Sequence, residues 1–141
     1  MESREKKLIL VVDDEPEAVF PLVKRLEMEG FDIRTAEDGM TGLTLAREQR
    51  PDLIVLDLML PKLRGYEVCR ILKFDPRFAR IPIIMLTALS REGDRNAGRD
   101  AGADFYVTKP FDGRELVKNI RVLLQVNIVP GTTPTATTRK E

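Results

Sequence analysis

The chain contains no histidine and only one cysteine, Cys69. The first absence removes Ser-His-Asp and Cys-His triads, histidine general bases and histidine metal ligands, and leaves no side chain able to become phosphohistidine. The second excludes a disulfide framework and a Cys-rich zinc site. Cys69 lies in an apolar helical stretch and reads as core. Charge of one sign is not in excess either, since 23 Lys plus Arg balance 23 Asp plus Glu. Without a global basic field, neither nucleic acid nor a membrane is expected as a direct partner. The longest apolar runs, such as Leu53–Leu56 and Ile81–Leu86, are only a few residues long. A bilayer span needs about 20. Met1–Lys7 is charged and precedes only five apolar residues, too few for the apolar stretch of a signal peptide. The chain is therefore expected in the cytoplasm. Its chemistry is left to carboxylates, hydroxyls and lysine, with a hard metal as an option.

What is present suits one soluble globular domain: 141 residues, 43% hydrophobic and 33% charged. Five apolar, β-branched runs are predicted strands: Leu8–Val12, Asp32–Thr35, Leu53–Leu58, Ile83–Leu86 and Phe105–Thr108. The first, third and fourth are nearly continuous in apolar residues, as expected of parallel strands covered on both faces. Between them the spacing predicts helices over Pro16–Glu29, Gly39–Gln49, Gly65–Lys73, Arg91–Ala101 and Asp112–Val126. Pro21 predicts a late start or a kink in the first helix. Asp112 with Glu115 resembles a capping box for the last. The segment Arg91–Ala101 contains Gly93 and Gly98 and no large apolar residue. It is expected to be the weakest and most mobile helix. Five βα repeats predict an α/β fold, a doubly wound five-stranded parallel sheet with right-handed crossovers. Residues 7–127 form the expected domain. Residues 1–6 and the Thr- and Pro-containing 128–141 are expected to be disordered, the latter as a tail or linker.

In such sheets function gathers at the carboxyl ends of the strands. There the sequence places Asp13, Asp14 and Glu15, then Asp57, then Thr87, then Lys109 and Pro110. Asp13 or Asp14 could simply cap the first helix. Thr87 could be an ordinary strand residue, and Lys109 a surface lysine. Asp57 is harder to dismiss, because Leu56 and Leu58 flank it and a carboxylate in an apolar run needs a partner. Clustered carboxylates repel one another unless a cation neutralises them. Mg²⁺ suits this role with one or two carboxylates plus other oxygen ligands.

At this point the chain resembles the receiver domain of two-component response regulators, over about Lys7–Leu124. The residues that carry the resemblance are Val11–Glu15, Pro51–Pro61, Gly65–Glu67, Ile81–Ala88, Ala101–Asp104 and Lys109–Phe111. It implies a flavodoxin-like (βα)5 fold. It implies that Asp57 accepts a phosphoryl group from a phosphohistidine on a histidine kinase or histidine phosphotransfer protein. Asp14, Asp57 and the backbone carbonyl of Met59 would bind Mg²⁺, with Asp13 holding the metal or a metal-bound water. Lys109 would pair with one phosphoryl oxygen and Thr87 with another. The Lys109–Pro110 bond would be cis. Thr87 and Tyr106 would form the switch, with Tyr106 turning inward as Thr87 moves. The face made by the fourth helix, fifth strand and fifth helix would then signal to an output protein or a C-terminal output domain. Such a domain is no enzyme beyond its own phosphoryl transfer and autodephosphorylation.

Several features depart from the family or point elsewhere. In one branch of the family an acidic residue and an arginine pair across a dimer interface. Here Phe105 and Val126 stand in their places, so Phe105 either rests on its own helix or offers an apolar contact to a partner. A phosphohydrolase with an aspartate nucleophile is the enzyme alternative. It would need a second aspartate two residues after Asp57, where Met59 stands. A phosphorylation-independent pseudo-receiver is the binding-module alternative, against which the intact set Asp13, Asp14, Asp57, Thr87 and Lys109 argues. Met59 and Leu89, two residues after Asp57 and Thr87, are both apolar. They predict a long-lived phosphorylated form, because neither can orient an attacking water.

Overall fold

The continuous apolar runs become the strands of one parallel sheet. A computed structural model describes residues 6–87 and 101–124. Its elements are β1 (Leu8–Val12), α1 (Pro16–Met28), β2 (Asp32–Ala36), α2 (Gly39–Gln49), β3 (Leu53–Asp57), α3 (Gly65–Lys73), β4 (Ile83–Thr87), β5 (Phe105–Thr108) and α4 (Gly113–Leu124). The helix expected over Arg91–Ala101 falls almost wholly on residues 88–100, outside the described residues, as do Leu89 and Val126. So do the segments expected to be disordered, Lys6 excepted.

The strand order is β2-β1-β3-β4-β5, all neighbours parallel. This is the flavodoxin-like order. Strand side chains alternate between two apolar layers. Leu10, Val12, Ile54, Leu56 and Met85 pack with Leu43 and Ala46 of α2 and Val68, Cys69 and Leu72 of α3. Ile9, Val11, Leu53, Val55 and Leu86 pack with Val19, Leu22 and Leu26 of α1 and Leu116, Val117 and Ile120 of α4. Covering both faces is what demanded continuous apolar runs in β1, β3 and β4. Each fully buried branched side chain contributes about 1.5–3 kcal/mol. The edge strand β2 needs only one such face, and it reads polar. No described helix is long and apolar enough to cross a membrane.

The structure settles three local readings. Helix α1 starts at Pro16 and runs through Pro21 without a late start. Pro21 is exposed, so the carbonyl it leaves without a partner one turn earlier can reach water. Neither Asp13 nor Asp14 caps α1. Glu15 occupies the cap position and makes no side-chain cap bond. Phe105 is 5% exposed and sits in the same cluster as Leu116, Val117 and Ile120, so it belongs to the domain's own core.

Candidate functional site

The sheet order reverses direction between β1 and β3, and the crevice of a doubly wound sheet opens at such a point. Asp13 follows β1 there, and Asp57 ends β3. The Asp13 N–H donates to the Ala36 carbonyl at 3.0 Å, which extends the β1–β2 ladder by one residue. The Asp13 carboxylate turns into the site, where its Oδ1 accepts from the Glu15 N–H at 2.9 Å. Asp13 is 2% exposed and Asp57 8%, whereas Asp14 is exposed. Carboxylate oxygens of Asp13, Asp14 and Asp57 lie within 4.8 Å of one another.

Lys109 comes from the far side, after β5. Its backbone N–H donates to the Thr87 carbonyl at 2.8 Å, so β4 and the turn carrying the lysine are stitched together. Its Nζ donates to Asp13 Oδ2 at 3.0 Å and stands 3.6 Å from Asp57 Oδ2. The Lys109–Pro110 peptide is cis. Thr87 is buried at the end of β4. Thus Asp13, Asp14, Asp57, Thr87 and Lys109 converge at one rim, the first three and Lys109 through direct proximity.

The loop after β3 is shaped by close packing. The Gly65 N–H donates to the Leu58 carbonyl at 2.8 Å, and a Cβ on Gly65 would collide with the Asp57 carbonyl oxygen. Only glycine lets α3 begin this close to the end of β3. The Met59 N–H donates to Asp57 Oδ1 at 3.3 Å, and Met59 is 44% exposed.

Electrostatics follow from this geometry. Burial pushes the Asp57 carboxyl up to about 6. Lys109 and the Met59 N–H oppose that rise, while the charges of Asp13 and Asp14 add to it. For Lys109, burial disfavours the ammonium, but the Asp13 hydrogen bond and the charges of Asp57, Asp13 and Glu15 outweigh it and raise its pKa. Three carboxylates face one ammonium, which leaves two negative charges, the complement of a divalent cation. All the donors are hard oxygens, two of them on buried carboxylates, and this set fits Mg²⁺.

Tyr106 is 2% exposed and lies in the same apolar cluster as Leu56, Leu58 and Met85. Two features were not anticipated from sequence. Arg64 Nη1 reaches the Met59 sulfur at 3.6 Å. Its signal was its place directly before Gly65, at the start of α3. A cavity of about 620 Å³ also adjoins the site, lined by Asp13, Pro21, Leu22, Arg25, Lys109 and Phe111 among others. It lies between α1 and the turn from β5 into α4, a juxtaposition that no local pattern encodes.

Known proteins resemble this chain in sequence and fold. Residues 9–121 match the family described as the response regulator receiver domain. The DNA-binding dual master transcriptional regulator RpaA of Synechocystis is 51% identical over 118 residues, covering 83% of this chain and 48% of its own. The alkaline phosphatase synthesis transcriptional regulatory protein PhoP of Bacillus subtilis is 48% identical over 119 residues, covering 84% of this chain and 49% of its own. The receiver domain of the sensor histidine kinase PA1611 of Pseudomonas aeruginosa was solved with a magnesium ion coordinated in its active-site cleft. It superposes with a TM-score of 0.79 at 32% identity, over 85% of this chain and 98% of that one. The chain spans about half the length of these curated relatives.

Proposed function

This chain belongs to the response regulator receiver domain family, and from that membership we propose that Asp57 is its phosphoryl acceptor, served by Asp13, Asp14, Thr87 and Lys109. The observation that carries the reading is the buried Asp57 carboxylate, 3.6 Å from the Lys109 ammonium and within one cluster with Asp13 and Asp14. Above about pH 6 Asp57 is ionised and can act as a nucleophile. One of its oxygens forms a bond to the phosphorus of a donor phosphohistidine, and the phosphorus–nitrogen bond breaks. Lys109, held by Asp13, pairs with an oxygen of the arriving group. The Thr87 hydroxyl, at the end of the adjacent strand, binds another. Asp13, Asp14, Asp57 and the Met59 carbonyl would hold Mg²⁺. When bound, the ion neutralises charge on the phosphoryl oxygens.

Phosphorylation then pulls Thr87 toward Asp57, and the change passes to Tyr106 on β5. The face beside β5 and α4 is the output surface in this reading. Its partner is an output protein or an output domain like those of the DNA-binding relatives. The phosphoryl donor is a histidine kinase or a histidine phosphotransfer protein. The phosphoryl group leaves by hydrolysis in the same site.

Transfer from a radiolabelled, histidine-phosphorylated donor domain tests the reading. Label is expected to move to the wild-type chain with Mg²⁺ present. It is expected to stay on the donor with Asp57→Asn or with a chelator. Equal transfer to Asp57→Asn would contradict the assignment.

A further inference from the structure

We propose that Met59 is a site of oxidation by peroxide, and that its sulfoxide, held by Arg64, shortens the life of a phosphoryl group on Asp57. The inference rests on the Asp57 reading above. The one thiol, Cys69, is fully buried and the chain has no histidine. Thioethers are therefore the sulfur groups that meet dissolved oxidants. Met59 is half exposed, and its own N–H donates to Asp57 Oδ1. Arg64 is fixed at the start of α3, where its N–H donates to Glu67 Oε1 at 3.0 Å. From there its guanidinium reaches back to the Met59 sulfur. A thioether is a poor acceptor for that donor.

Oxidation changes the chemistry of this contact. A sulfur lone pair attacks one oxygen of hydrogen peroxide, the sulfur–oxygen bond forms and the oxygen–oxygen bond breaks. The departing oxygen leaves as water, taking up the proton of the transferred oxygen. Sulfur is oxidised and peroxide reduced. The new oxygen is a strong acceptor, and Arg64 can hold it by a charge-assisted bond. Its remaining lone pair can bind and orient a water beside Asp57. An apolar side chain two residues after Asp57 thus becomes a polar one. Methionine sulfoxide is reversible by reductases, so the change can be undone.

Met28 and Met40 are also exposed and provide internal controls. The full chain is treated with hydrogen peroxide and quenched, and peptide masses locate the added oxygen. It is then phosphorylated with a small acyl phosphate and Mg²⁺, and phosphoryl loss is timed. Each variant is compared with itself before and after peroxide. Wild type is expected to gain oxygen at Met59 and to lose its phosphoryl group roughly threefold faster or more, the kinetic equivalent of one modest hydrogen bond. Met59→Leu is expected to show no peroxide effect although Met28 and Met40 are oxidised. Arg64→Ala is expected to take the oxygen at Met59 yet lose most of the acceleration. Met59 left intact while Met28 and Met40 oxidise would overturn the inference. So would unchanged decay in oxidised wild type, an equal response in Met59→Leu, or a full response in Arg64→Ala. Phosphoryl uptake without a peroxide effect overturns this inference alone. No uptake by untreated protein overturns the Asp57 reading and this inference with it.

Discussion

Asp57 is a carboxylate placed where a carboxylate is uncomfortable. Its pKa of about 6 lies above the ordinary value of 3.8 because burial disfavours its charge, and Lys109 only partly offsets this. An acid whose folded pKa is raised binds a proton on folding between the two values. Stability therefore falls as pH rises from about 4 to about 6, and stays lower above that. In metal-free buffer Asp57→Asn is expected to be more stable than wild type to urea at pH 7.5, by about 1–2 kcal/mol after allowing for solvent access. The gap should close near pH 4. A gap independent of pH would argue that burial of the charge is not its cause. The residues around Asp57 were legible for the same physical reason that strains it, since a carboxylate between Leu56 and Leu58 asks for a partner. Arg64 was not legible, because its reach to Met59 depends on how the loop after β3 folds back. Met59 and Leu89 give a second residue-scale expectation. The double variant Met59→Asn with Leu89→Glu should lose its phosphoryl group about tenfold faster, the equivalent of ~1.4 kcal/mol, in a timed decay assay. Unchanged or slower decay would count against shielding by these two side chains.

Elements deliver these residues, and small packing features fix the elements. Gly65 lets α3 begin against the Asp57 carbonyl. Gly65→Ala must push α3 away from the end of β3. It is expected to lose about 1–3 kcal/mol in urea denaturation, and to slow phosphorylation as well. Stability within ~0.5 kcal/mol of wild type would show that the loop gives way easily. At the opposite end of the strands, Lys73 is only 11% exposed at its side chain. Its Nζ meets Asp104 Oδ2 at 2.7 Å and donates to the carbonyls of Ala79 and Ile81 at 3.1 and 2.7 Å. It ties the end of α3 to the approaches of β4 and β5. Lys73→Met leaves those oxygens short of a donor and should cost about 2–3 kcal/mol by the same denaturation. A loss below ~0.5 kcal/mol would mean that water replaces it freely. This clamp could not be read from sequence, because the pairing spans 31 positions. Element identities could be read, because strand and helix periods differ. Pro21 does not delay the start of α1, because a proline rule says nothing about which side of the helix faces water.

At the scale of the molecule, the parallel order β2-β1-β3-β4-β5 sends the carboxyl ends of β1, β3, β4 and β5 to one rim. Residues separated by nearly a hundred positions, such as Asp13 and Lys109, then share a hydrogen bond. Sequence motifs alone gave the members of that set, and the βα repeats gave the rim they share. The distances came only with the fold, since they depend on how the sheet twists and how each turn leaves it. The output surface is a proposal, and the curated relatives are about twice as long as this chain. Both facts make phosphorylation itself, not the response to it, the sharpest point of contact with experiment. Intact mass after incubation with a small acyl phosphate and Mg²⁺ tests the central claim most directly. Wild type is expected to gain the mass of one phosphoryl group, and Asp57→Asn or chelated wild type to gain none. A wild type without added mass, or an Asp57→Asn variant that gains it, would contradict the assignment of Asp57 as the phosphoryl acceptor.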